Sequence, residues 1–557
     1  MDIRAKKALS EFFTSLVLTA IFGYLMFTLE MKTTWQTVSA ALALLFGILL
    51  IKSTFKAIPY LIGFVIGGSF TLVTKGVGKV AQTAGNAMLK KSINNANHEN
   101  TIALVSAIDN VNVYFDELYR HFLVIAGTGA GKSASIVKPM IKESITKNFS
   151  GLILDYKYPE LANYVYSHYQ NHKSGVTPIF VNFDDLSRSV RFNPLANSVK
   201  NSSFARELAT SIVENLSNGD SNNKNEFFVK SAESLLAGII YFLAKKHPQH
   251  LSIPHAVALS LQPIEKVVEL ISTDFEVSAM VASIKTAIDN QAGKQLAGVV
   301  STLQDGLSRL ATPNIFWVLS AEEVHIDINN PDAPQMLVLG NNALLSTTYA
   351  PILSLILVSS LQKMNVPGKH KSMVILDEAQ TTKIPKLEQI LAVCRSNKIS
   401  ISFITQDLSQ IEDVYGHVKK DVLLGNFSNM LFGKTNHLKT AEYVSNLVGK
   451  GDIVMENKNV GYSVGEKGHI TETETKTYSS QERILLKPQQ IMGFGEGVFI
   501  NFRPNYQPFT TQYKPAQEVV DSLPAFRQIS NQEIEDNYSQ IFTDIESLMV
   551  NIGKKII

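Results

Sequence analysis

Three stretches without a charged residue stand at the start of the chain, Phe12 to Leu29, Thr33 to Ile51 and Ala57 to Thr74. Each approaches the ~20 residues that cross a hydrocarbon core as a helix. The first two, joined by the short Glu30-Met31-Lys32 turn, predict a transmembrane helical hairpin. A second span following at once, with no Ala-x-Ala-like site between, argues against a cleaved signal peptide. Arg4, Lys6 and Lys7 precede the first span and Lys52 and Lys56 follow the second, so the positive-inside bias puts both ends in the cytoplasm. The third stretch carries Pro59, Gly63, Gly67 and Gly68 and reads as interfacial, re-entrant or packed against the hairpin.

After Lys75 the apolar run gives way to a polar connector with Asn94, Asn95, Asn97 and Asn100 close together. Phe122 to Ala126 and Leu152 to Leu154 are short apolar runs that read as buried parallel strands. Between Phe183 and about Ile328 the periodicity turns helical, as in Phe227 to Ala244 and Leu296 to Leu310, which predicts an all-helical insertion. Strand candidates resume at Met336 to Leu339, Met373 to Leu376, Ile399 to Thr405 and Met430 to Phe432, alternating with helix-like Ala350 to Lys363 and Lys386 to Arg395. That alternation predicts a parallel α/β sheet. Asn457 to Gln481 is polar and reads as a mobile excursion before a last strand at Val498 to Phe502.

With 557 residues the chain exceeds one core, since single cores stop growing near ~250 to 300 residues. A net charge of +2 supplies no global basic field, so any nucleic acid must be held by a local channel or loops. The single cysteine, Cys394, excludes an intramolecular disulfide framework and a Cys-rich zinc site.

The chemistry begins at Ala126-Gly127-Thr128-Gly129-Ala130-Gly131-Lys132-Ser133, between an apolar strand and a helix. Small residues let backbone N–H groups converge on phosphate oxygens, Lys132 can reach the β and γ phosphates, and Ser133 can ligate Mg²⁺. Ala126 stands where such loops usually carry their first glycine. Met373-Val374-Ile375-Leu376-Asp377-Glu378 delivers two carboxylates at a strand end, Asp377 to hold Mg²⁺ and Glu378 to polarise the water that attacks the γ-phosphate of ATP. Gln406, ending the next strand, is placed to sense that phosphate. A third membrane crossing would put this site on the side without ATP.

These motifs, with Leu154-Asp155-Tyr156-Lys157 followed by Glu160-Leu161, with Arg191-Phe192-Asn193-Pro194-Leu195 and with Phe403 to Gln406 running into Ile411 to Gly416, resemble the hexameric coupling ATPases of bacterial conjugation and type IV secretion. Tyr156 and Tyr158 depart from that family's Asp-Pro-Lys-Gly-Glu-Leu segment. The resemblance runs from the hairpin to about Pro504 and implies a RecA-like P-loop NTPase of α/β class with an all-α insertion and an N-terminal transmembrane hairpin. It implies a homo-hexamer in the bacterial inner membrane, its motor in the cytoplasm, and Arg395 facing the neighbouring subunit's nucleotide, the alternatives being that nearby Lys398 takes that role or that Arg395 is a solvated helix-end cation. It also implies as partners single-stranded DNA with its relaxase and the type IV secretion channel. The expected division is 1–75 membrane hairpin and associated segment, 76–110 linker, 111–190 first part of the nucleotide-binding domain, 191–330 insertion, 331–515 second part, and 516–557 C-terminal tail.

Within motors, a septal-type translocase of double-stranded DNA and a protein-only secretion ATPase are the alternatives. A membrane-tethered GTPase would need an Asn-Lys-x-Asp segment, and the close string Asn223-Lys224-Asn225-Glu226 falls in the helical insertion. A scaffold with a vestigial site should have lost Lys132 or Glu378, and both are present.

Overall fold

The computed structural model describes residues 98–216, 226–464, 470–518 and 521–553. The expected membrane hairpin, the third apolar stretch and the connector as far as residue 97 lie outside the described residues. A nine-stranded sheet organises the rest, in the order β13-β12-β9-β3-β8-β7-β4-β6-β5. Its strands are β3 (Phe122–Ile125), β4 (Ser150–Asp155), β5 (Thr177–Val181), β6 (Gln335–Gly340), β7 (Ser372–Leu376), β8 (Ile399–Thr405), β9 (Asn429–Phe432), β12 (Val498–Phe502) and β13 (Phe509–Gln512). Every residue of β3, β4, β7 and β8 is buried, as expected of parallel strands covered on both faces, and their sequences are correspondingly near-continuous apolar runs. From β5 to β9 all neighbours are parallel, while β12 and β13 add antiparallel at one edge.

Between β5 and β6 the chain is helical, from Ser202–Leu216 and Glu226–Lys246 to Pro313–Leu319. Among the described residues Phe227–Lys246 is long and apolar enough to cross a membrane, but more than half of it is buried inside the protein, the mark of a core helix. Ser202–Leu216 packs on both Glu226–Lys246 and Ser346–Met364, joining the helical body to the sheet.

Three segments depart from the expectations. The stretch expected as a linker carries β1 (Ile102–Val105), paired with β2 (Asn112–Phe115), because Ile102, Leu104, Val113 and Phe115 bury their side chains; four residues are too few for a clear period. The polar tract expected as a mobile excursion forms two long paired strands, β10 (Lys450–Val464) and β11 (Ile470–Ile484), in register from Lys450 opposite Ile484 to Val464 opposite Ile470. Its Thr471-Glu472-Thr473-Glu474-Thr475 alternation has the strand period of two, which its polarity obscures. The expected C-terminal tail carries the helix Asn531–Gly553, docked on Pro313–Leu319 and Ile253–Ser260. There Phe316 meets Tyr538 and Phe542 at ring-centroid distances of 5.1 and 6.0 Å.

Arg191 fastens that junction. Its guanidinium lies 3.9 Å from the Trp317 ring and donates to Trp317 O, Ser320 Oγ and Asn537 Oδ1, each at 2.8 Å. The Arg191 to Leu195 segment therefore ties the helical body to the C-terminal helix through Arg191.

Candidate nucleotide-binding site

β3 opens at its C-terminal end into the glycine-rich loop. Gly129 and Gly131 have φ of +74° and +81°, conformations that favour glycine. A Cβ on Gly131 would stand 2.8 Å from the amide nitrogen of Gly497, so the loop is also packed too closely for alanine there. Braces hold it on both sides: Gly127 N–H donates to Lys434 O at 2.8 Å, and Gly497 N–H donates to Ala130 O at 2.9 Å. The amides of Gly129, Gly131 and Lys132 make no hydrogen bond among the described residues, which leaves converging donors suited to an anion. Thr128 is exposed and Ser133 half-buried, at the start of the helical turn that continues into Lys138–Thr146.

β7 delivers Asp377 and Glu378 to the same end of the sheet. Glu378 adopts the left-handed region at φ 46°, a strained conformation of order 1–2 kcal/mol for a residue with a side chain. Lys132 Nζ donates to Glu378 Oε1 at 2.7 Å, with both side chains about one-tenth exposed. Gln380 Nε2 donates to Glu378 Oε2 at 2.8 Å, and Gln406 Nε2 to Glu378 Oε1 at 3.3 Å. Thr128 Oγ1 in turn donates to Gln406 Oε1 at 3.3 Å, linking the loop to the end of β8. Asp377 is pushed up to about 6 by burial and by the Glu378 charge beside it. Its Oδ1 is buried with no hydrogen-bond partner, and so is Oδ1 of Asp155 at the end of the neighbouring β4. Asp155 spends its other oxygen on the amides of Leu161 and Ala162, both at 2.9 Å, and burial lifts its carboxyl to about 7. Two buried carboxylates with orphaned oxygens fit a divalent cation as counter-charge.

Gly127, Thr128, Gly129, Ala130, Gly131, Lys132, Ser133, Asp377, Glu378 and Gln406 thus meet at the C-terminal ends of β3, β7 and β8. Arg395 does not join them. It lies in the turn Arg395–Asn397 before β8, at the opposite, N-terminal end of the strands, with its charge acting on His121 at the start of β3. Within one protomer it is on the wrong side to reach the loop. Sequence reasoning gave no role to Gln380 or Asp155. Gln380 follows Glu378 by two positions, but its reach depends on the left-handed turn at Glu378, which no pattern signals.

The family described as type IV secretory system conjugative DNA transfer matches residues 80–513. The chain belongs to this family. Among solved structures, the unbound bacterial conjugative coupling protein TrwB lacking its first 70 residues aligns at TM-score 0.59 and 17% identity, over 77% of this chain and 92% of that one. TrwB in complex with ADP and Mg²⁺ aligns at TM-score 0.58 and 16% identity, over 76% and 92%. TrwB with the non-hydrolysable ATP analogue ADPNP aligns at 0.57 and 17%, over 74% and 90%. At such identity these likenesses establish the shared fold. No curated protein matches the chain by sequence. In this member of the conjugative DNA transfer family, the segment from Leu154 to Leu161 ends β4 beside Asp377, and that from Arg191 to Leu195 ties the helical body to the C-terminal helix.

Proposed function

We propose that this family member is an ATP-driven coupling protein of the bacterial inner membrane that recruits relaxase-bound single-stranded DNA and pumps it to a type IV secretion channel. The observation that carries the reading is the convergence of the glycine-rich loop, Lys132, Asp377 and Glu378 at one end of the sheet, in a chain of the conjugative DNA transfer family. The charge-free stretches of residues 12–29 and 33–51 would supply the anchor.

The unpaired loop amides and Lys132 would bind the phosphates of ATP, and Ser133 and Asp377 would hold Mg²⁺, which neutralises phosphate charge when bound. Phosphate must draw Lys132 away from Glu378. Released from that pair, Glu378 is free to accept a proton from the attacking water, and Gln380 and Gln406 keep its carboxylate oriented. Gln406, bonded to both Thr128 and Glu378, carries the state of the phosphate pocket into β8. Arg395, remote from its own protomer's loop, acts on the nucleotide of a neighbour, so hydrolysis requires the homo-hexamer.

The test is ATP hydrolysis by the purified full chain in a membrane mimetic, with and without single-stranded DNA, together with its mass in solution. Stimulation by single-stranded DNA with hexamer formation is expected. No hydrolysis under either condition overturns the motor, and stimulation by double-stranded DNA alone reassigns the substrate.

A further inference from the structure

A cluster far along the chain from the nucleotide motifs joins three metal-ligating side chains. His250 lies in the turn Pro248–His250, His255 in the helix Ile253–Ser260, and Asp544 in the C-terminal helix Asn531–Gly553. One ligand atom from each lies within 4.8 Å of the others. Asp544 Oδ2 is 3.3 Å from His255 Nε2 and 3.7 Å from His250 Nδ1. We propose that His250, His255 and Asp544 form a zinc site that fastens the C-terminal helix to the helical body.

The two separations from Asp544 suit ligands around a common ion, and the imidazole nitrogens lie within 4.8 Å of each other. Bonds of ~2.0–2.2 Å from zinc to imidazole nitrogen and carboxylate oxygen, arranged tetrahedrally, put ligand atoms roughly 3.4 Å apart. The two measured separations bracket that value. At 3.7 Å His250 Nδ1 is too far from Asp544 for a hydrogen bond, so hydrogen bonding alone leaves this contact unexplained. The surroundings orient the ligands as outer-shell partners do. His255 Nδ1 stands 2.7 Å from Ser252 Oγ, which also accepts the His255 amide as the helix cap. In the tautomer whose Nδ1–H donates to that oxygen, the Nε2 lone pair faces Asp544 and is available to an ion. Gln540 Nε2 donates to Asp544 Oδ1 at 2.8 Å, which turns the free Oδ2 toward both imidazoles. His255 is buried while the side chains of His250 and Asp544 are 20% and 26% exposed, so an ion has an access path and water can fill a fourth position. With two nitrogens, one oxygen and no thiolate, the donor set suits zinc in a tetrahedral site.

The test uses the untagged full chain, stripped with a chelator, with Zn²⁺ alone as the probe. Calorimetric titration should show one Zn²⁺ bound per chain outside the nucleotide site, with a rise in thermal unfolding temperature. His255→Gln and Asp544→Asn, which nearly keep side-chain size, should each weaken zinc by at least ~100-fold, since even outer-shell losses cost ~10- to 100-fold. Zinc K-edge absorption of the unmutated protein should report two imidazoles and oxygen at ~2.0–2.2 Å, a readout independent of the variants' folding. Absence of bound zinc, unchanged affinity in folded variants, or a spectrum without paired imidazoles overturns the proposal and leaves Ser252, His255 and Asp544 as a hydrogen-bonded junction.

Discussion

Lys132 Nζ lies 2.7 Å from Glu378 Oε1, so the cation that should grip phosphate is held by the carboxylate that should activate water. A buried charge pair loses heavily when one member is removed, because the other is left without a partner. Here Gln380 and Gln406 also donate to Glu378, which softens that loss and lets Lys132 change partners.

Replacing Glu378 with Gln removes the competitor for Lys132 while nearly preserving shape. Nucleotide affinity should rise about tenfold, equivalent to ~1.4 kcal/mol. Hydrolysis should fall by ~10²- to 10⁴-fold with loss of the base. Binding of a fluorescent ATP analogue and phosphate release measure the two effects. Turnover equal to the unmutated chain would assign the base elsewhere.

Arg395 precedes β8 whereas the loop follows β3, and these strands are adjacent and parallel, so the two stand at opposite ends of the strands. Arg395→Ala and Lys132→Ala chains should each be inactive alone, and mixing them should restore part of the ATPase activity at interfaces pairing an intact loop with an intact arginine. An arginine supplied in trans is worth as much as ~10³ to 10⁵ in rate where such residues are established. Mixed rings, verified by mass, that recover nothing would remove Arg395 from the mechanism.

His121 predicts a pH dependence of stability. Its Nδ1 accepts from Ile401 N–H at 3.1 Å and its Nε2 faces Leu391 O at 2.7 Å, so the buried ring is a neutral tautomer bridging two segments. Burial pushes its pKa down to about 4, with Arg395 adding to the fall. Because the folded value lies below the ordinary 6.5, the stabilisation is present above pH 6.5 and is lost as the pH falls toward 4. Between pH 7 and 5 this linkage amounts to about 2 kcal/mol. Denaturant unfolding at the two pH values should show that loss, and His121→Gln should abolish this share of it. An unchanged pH dependence in the variant would assign the acid sensitivity to other groups.

The strands β3, β7 and β8 and the residues at their ends were legible in the sequence because each is a local property: an apolar run of strand length, small residues where the backbone must turn left-handed, carboxylates where the run stops. Gly131 needs its positive φ and Asp377-Glu378 needs its buried strand, and both requirements are written within a few residues. Which of those ends meet was decided only by the order of strands in the sheet. That order closes the Lys132 to Glu378 contact across 246 positions, sets Arg395 at the far ends of the strands beside His121, and leaves oxygens of Asp155 and Asp377 unpaired on adjacent strands. The pairing of β10 with β11 and the docking of Asn531–Gly553 on the helical body depend on partners distant in the chain, and so does the His255 to Asp544 contact across 289 positions. A residue's local preference fixes its backbone, but burial and charge pairing arise from what the fold packs against it, and that is a property of the whole chain.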